Sequence, residues 1–228
     1  MAFCSIVFFG SVLILASFAV LSLPRNPPYY KKPVIPLYLE IISNKAFLLV
    51  LLFAVSFGLY FRGIELYLPS YLKSVKMFEI IVAGISSSIL LAGGALGQYL
   101  GGRIGDRRGP EFVFVITATA GLLSLLSLQI AYSLIVIMTF VFLFGLSFYG
   151  QQPACNLYLA KKFGKEILAI TYGIWFFVSF SFMALSTFIA GHIIQIYGFN
   201  LLLVLSSGIS FFVLLLSLYI FKKEKRIK

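Results

Sequence analysis

Apolar positions in this chain fall into long unbroken runs, with neither the one-sided stripe nor the strict alternation of a water-soluble fold. Seven runs can be ruled off, at about 3–23, 46–69, 79–101, 112–132, 134–158, 167–194 and 199–221. Each approaches or exceeds the ~20 residues a helix needs to cross a bilayer core of about 30 Å. A helix at the surface of a soluble core would carry a polar face, which these runs lack. The pattern predicts an all-α polytopic membrane protein of about seven transmembrane helices, with the lipid bilayer as its surroundings.

The segments between the runs sort the chain into parts. Residues 1–23 form a first transmembrane helix. The first basic residue, Arg25, follows this run, so the run lacks the positive leading region of a secretory signal and is expected to stay uncleaved. Residues 24–45 hold "PRNPPYYKKPVIP", whose prolines stiffen an extended linker, followed by "LYLEIISNK", a candidate interfacial helix. Residues 46–221 contain the remaining six helices, and 222–228 form a basic tail.

Those six helices carry a repeat. Shifted by 89 residues, "GISSSILLAGGALGQYLGGRIGDRRG" (84–109) lies over "GIWFFVSFSFMALSTFIAGHIIQIYG" (173–198). Gly84, Ile85, Gly102 and Gly109 then fall on Gly173, Ile174, Gly191 and Gly198. The shift moves span 3 onto span 6. An odd number of helices turns the copy over, giving an inverted 3+3 arrangement with units of about 46–132 and 134–221, as found in transporters.

Composition agrees with the membrane assignment: 61% of residues are hydrophobic and 11% charged, against roughly 25% charged in ordinary soluble domains. The net charge of +11 raises the question of a nucleic-acid partner, which the distribution answers. With the carboxyl terminus inside, fifteen of the 18 Lys and Arg fall on the cytoplasmic side, and only Lys73 and Lys76 face outward. The charge sets topology, with the amino terminus outside and the plasma membrane as the expected location. No soluble basic surface interleaved with aromatics exists for nucleic acid.

The sequence offers no catalytic constellation, phosphate loop or clustered metal ligands, so neither an enzyme nor a cofactor is expected. Cys4 and Cys155 lie in different apolar runs and suit packing. Polar groups inside the spans need a reason, because an ionisable side chain costs ~3 kcal/mol there. Arg62 and Glu65 in "YFRGIELY" share a helical face and can neutralise each other, either snorkelling outward or facing a cavity. "YGQQPACN" supplies Gln151, Gln152 and Asn156, with Pro153 loosening the helix between them. These are candidates for substrate contact, the alternative being interhelical hydrogen bonds. Glu65 and the lone His192 are the candidates for proton coupling, with an interfacial hydrogen bond as the simpler role for His192.

The densest charge sits in "GGRIGDRRGP", where Gly102, Gly105, Asp106, Arg107 and Gly109 follow span 3. This pattern resembles the loop motif of the major facilitator superfamily, which recurs between the second and third helices of each six-helix half. "LPSYLKSV" after span 2, "KKFGKE" between spans 5 and 6, and Gly191 to Gly198 extend the resemblance over essentially the whole chain. Span 1 resembles the last helix of the first half, and spans 2–7 resemble the carboxyl-terminal half. The resemblance implies secondary active transport of a small solute by alternating access. It places spans 2 and 5 at the cavity and makes the glycine and arginine motif a gate in which Asp106 locks one face. Pro110 and Glu111 depart from the family's further basic residues. About seven helices stand where the family has twelve. The chain is therefore expected to work with a separate amino-terminal half or a second copy, the alternatives being a truncated remnant or a non-transporting seven-helix sensor or scaffold.

Overall fold

A computed structural model of the protein describes residues 34–226. The first expected helix (1–23) and the linker prolines through Pro33 lie outside the described residues. Within them the chain is helical almost throughout. A ten-residue helix, α1 (Val34–Ser43), precedes α2 (Lys45–Ser74), α3 (Ile80–Arg108), α4 (Pro110–Ile130), α5 (Leu134–Lys162) and α6 (Lys165–Lys225). The last five are each long and apolar enough to cross a membrane.

Local chemistry accounts for the helix ends. Asn44 caps α2, its side-chain oxygen accepting from the amides of Ala46 and Phe47 at 2.8 and 3.3 Å. Gly109 ends α3 with φ 95° and ψ 147°, a conformation open essentially to glycine alone. Pro110 then opens α4, where its missing amide costs nothing. The end of α4 has no glycine, and its carbonyls are met from outside. The Tyr71 hydroxyl donates to Leu128 O at 2.9 Å, and the Lys76 ammonium donates to Gln129 O and Ala131 O at 3.0 and 2.6 Å. Desolvation there lowers the pKa of Lys76 from its ordinary value.

One sequence expectation needs correction. The motif read as a loop belongs mostly to helix, since residues 101–108 form the last two turns of α3 and only Gly109 leaves the helical region. The reason is packing: Gly101 and Gly105 are buried on one side of the turn, while Arg103, Arg107 and Arg108 stay exposed on the other. The runs 167–194 and 199–221 form two helical limbs, taken together as α6, that part at the non-helical Gly198 (φ 80°, ψ 177°). At ~1.5 Å per residue, its 61 residues would reach about twice the bilayer thickness if straight. They fold back instead. Phe199 packs on Tyr71 at 5.6 Å between ring centroids, and Glu224 returns to Lys162, three residues before α6 begins. The two limbs of α6, before and after Gly198, therefore run in opposite directions.

The helices pair closely in two places. Along α3, Gly93, Gly97 and Gly101 meet Phe142, Leu146 and Gly150 of α5 backbone to backbone, while Gly145 of α5 meets the Leu90 carbonyl. The four-residue spacing on both helices lets their ridges interlock without side chains between them. The second pairing joins α2 to the first limb of α6, where Gly58 faces Met183, Gly63 faces Ser186 and Ala190, and Ser186 Oγ donates to Leu59 O. Helix α4 packs against α5 and the second limb, as Phe112 against Phe221 and Gln129 against Ser207 illustrate. At the centre Phe53, Phe57, Tyr60, Phe61, Phe114 and Phe144 are fully buried. This arrangement gathers the basic ends of α3, α5 and α6 at one end of the bundle, where Tyr158 and Lys162 bind Glu224 at 2.8 and 2.7 Å.

Candidate functional site

Three helices leave an open cleft of about 630 Å3 between them, within the usual range for small-molecule sites. Helix α2 contributes Arg62, α5 contributes Phe148, Tyr149 and Gln152, and the first limb of α6 contributes Phe180, Met183, Ala184 and Thr187. The α6 residues recur at three- and four-residue intervals, so one helical face turns to the cleft. The α5 residues stand on one face in the same way, because the glycine-backed face of α5 is occupied by α3.

The cleft wall carries one ion pair. The Arg62 guanidinium donates to Glu65 Oε2, and Tyr149 OH donates across from α5 to Glu65 Oε1 at 3.2 Å. The Arg62 side chain is 44% exposed and that of Glu65 14%, so the cation reaches the open space while the carboxylate sits behind it. Spaced i, i+3, the two compensate each other's charge as the sequence spacing allows.

The candidate residues do not all gather here. Arg62 and Gln152 line the cleft, and Glu65 backs it. Gln151 is buried and outside the cleft lining, bordering instead a small space beside it, and accepts a hydrogen bond from the Cys155 thiol at 3.0 Å. The backbone carbonyl of Asn156 accepts from Tyr172 OH at 2.9 Å, while its side-chain Oδ1 is buried without a partner among the described residues. His192 lies exposed on the first limb of α6, outside the cleft lining. At the far end of α3, Asp106 is exposed and makes no hydrogen bond or ion pair among the described residues. Arg107 is exposed too, and Arg108 lies 5.2 Å from the Phe112 ring. Gly102 faces Pro153, where an added Cβ would lie 3.8 Å from it, and Gly105 faces Leu157 and Val113.

Sequence reasoning missed Tyr149, Thr187 and the aromatic lining. Tyr149 could have been found, being three residues before Gln152 on the same helical face. Phe148 and Phe180 carry no such signal among 25 phenylalanines. Among the described residues, no three His, Cys, Asp or Glu come together as metal ligands would. The site therefore offers hydrogen-bond donors and acceptors, aromatic surface and one compensated charge, a constellation suited to reversible binding.

The sequence model of the Major Facilitator Superfamily matches the chain twice, over residues 1–187 and 81–228. No curated protein matches it.

Proposed function

The chain belongs to the Major Facilitator Superfamily, whose members move small solutes across membranes, and from that premise we propose that it forms one six-helix half of a secondary active transporter. The solute binds in the cleft between α2, α5 and the first limb of α6. That cleft is the observation which carries the proposal, because it gathers Arg62, Tyr149, Gln152 and Thr187 from three helices around one open space. An open cleft on one half needs a facing wall, supplied by a separate amino-terminal half or a second copy of the chain. Rocking of the two halves gives alternating access, and Asp106 with its flanking glycines and arginines locks one face between cycles. Glu65, on the cleft wall, is the group through which a proton is coupled.

The two three-helix units are inverted copies on this proposal. What supports it is backbone geometry at the 89-residue shift: the two described glycines with positive φ, Gly109 and Gly198, are related by it. Gly97 and Gly101 of the α3–α5 contact likewise fall on Ser186 and Ala190 of the α2–α6 contact. The basic end of the bundle faces the cytoplasm, following the positive-inside rule.

The test is uptake by the assembled transporter. Gln152→Leu removes a hydrogen-bonding group from the cleft and should raise the half-saturating solute concentration about 2- to 10-fold, equivalent to one net hydrogen bond, with membrane insertion unchanged. An unaltered concentration dependence would take the solute out of this cleft.

A further inference from the structure

Beside the cleft lies a smaller enclosure whose donors meet no acceptor among the described residues. Trp175 and Ser179 of the first limb of α6 and Gln151 and Gln152 of α5 line it. It offers about 10 Å3 for the centre of a water-sized atom, roughly the least that admits one oxygen. Trp175 and Ser179 are 3% and 5% exposed. Among the described residues, neither the indole Nε1 of Trp175 nor Oγ of Ser179 has a hydrogen-bond partner. They stand one helical turn apart, and native structures seldom bury two neighbouring donors without an acceptor to meet them. The niche shares Phe148, Gln152, Phe180 and Met183 with the cleft, so the two spaces have a common wall.

We propose that this niche is the polar end of the solute site, and that the solute is an uncharged molecule with an acceptor oxygen and an apolar or aromatic body. The assignment rests on the cleft being the solute site. The oxygen, a carbonyl or hydroxyl, accepts hydrogen bonds from Trp175 and Ser179 in place of a water. The body lies in the cleft against Phe148, Phe180 and Met183, surfaces that favour flat apolar groups. Charge balance argues against an ionic solute. Arg62 is the charged residue lining the cleft, and its guanidinium is engaged by Glu65, whose other oxygen takes the Tyr149 hydroxyl. An anion would have to draw Arg62 from that partner, and the lining has no free carboxylate for a cation.

Trp175 is the chain's one tryptophan, so its emission reports on the niche directly. The full-length protein in lipid nanodiscs would be titrated with five one-ring probes: benzamide, benzyl alcohol, toluene, benzoate and benzylammonium. Benzamide and benzyl alcohol should give a saturable change in Trp175 emission at concentrations about tenfold below any effect of the other three. Ser179→Ala should weaken benzamide binding about 3- to 10-fold, the loss of one net hydrogen bond, while the thermal unfolding profile stays in place. Saturation by toluene at equal concentration would overturn the role of the niche donors, and preference for benzoate would overturn the uncharged-solute assignment in favour of Arg62. Either result, with uptake still sensitive to Gln152→Leu, leaves the cleft standing. No saturable change with any probe, together with uptake insensitive to Gln152→Leu, removes both.

Discussion

The contact between α3 and α5 can be tested by a single methyl group placed in two positions of one helix. A Cβ added at Gly101 would lie 2.7 Å from the carbonyl carbon of Gly150 and 2.9 Å from its Cα. The nearest atom, the Gly150 carbonyl oxygen, would be closer still, whereas non-bonded heavy atoms in ordinary contact stand about 3.5 Å apart, so α5 must withdraw by roughly 1 Å or more. Because Gly93 and Gly97 sit in the same register against Phe142 and Leu146, the withdrawal spreads along the seam. Overpacking of this kind costs about 1–3 kcal/mol. Against that, alanine is a better helix former than glycine by about 0.8–1 kcal/mol. Gly84 lies in the same helix with no atom within 4 Å of where its Cβ would be, so Gly84→Ala collects the gain in propensity without the clash. The difference between Gly101→Ala and Gly84→Ala isolates the packing term and should be about 1–3 kcal/mol. Reversible unfolding in mixed micelles, followed by circular dichroism, measures it. Equal stability of the two variants would mean that the helices are not in backbone contact at Gly101.

Four further substitutions probe other parts of the chain. Gly109→Ala and Gly198→Ala should each cost about 1–3 kcal/mol in the same unfolding assay, because both positions hold φ values that a Cβ disfavours; a loss below about 0.5 kcal/mol at either would contradict the turn geometry. Lys76→Met removes two hydrogen bonds to the end of α4 and should destabilise by about 1 kcal/mol, seen as faster amide exchange at residues 128–133, whereas unchanged exchange there would make the lysine dispensable. Asp106→Asn should reduce solute flux through the assembled transporter while surface expression holds, and an undiminished rate would remove the lock assigned to this carboxylate.

Helix positions were readable in the sequence because crossing a bilayer demands runs of a minimum length. The runs could not show where a helix continues past its apolar stretch. Helix α3 extends through Arg108 since Gly101 and Gly105 turn inward while the arginines remain outside, and burial of that kind depends on a partner helix. Within the site, Arg62, Glu65 and Gln152 stood out as polar groups among apolar neighbours. Gln151 stood out equally, yet the 100° turn per residue sends it into the core beside Cys155. Trp175 and Ser179 gave no sign of the role proposed for them. An aromatic residue and a serine are ordinary in such a helix, and their unmet hydrogen bonds exist only once α5 packs against them.

The two close helix pairings differ in what fills them. Between α3 and α5 the contacts at Gly93, Gly97, Gly101 and Gly145 are main chain on main chain, with few rotamers to rearrange, so the pair behaves mechanically as a stiff two-ply board. Between α2 and the first limb of α6, the flexible Met183 fills the space at Gly58. A thioether chain with three rotatable bonds can re-settle as its neighbours slide, in the manner of a compliant gasket. If a solute binds as proposed, strain should flow toward α2 and α6, the side that holds Arg62, and the glycine board should carry displacement to the Arg107 end of α3 with little loss.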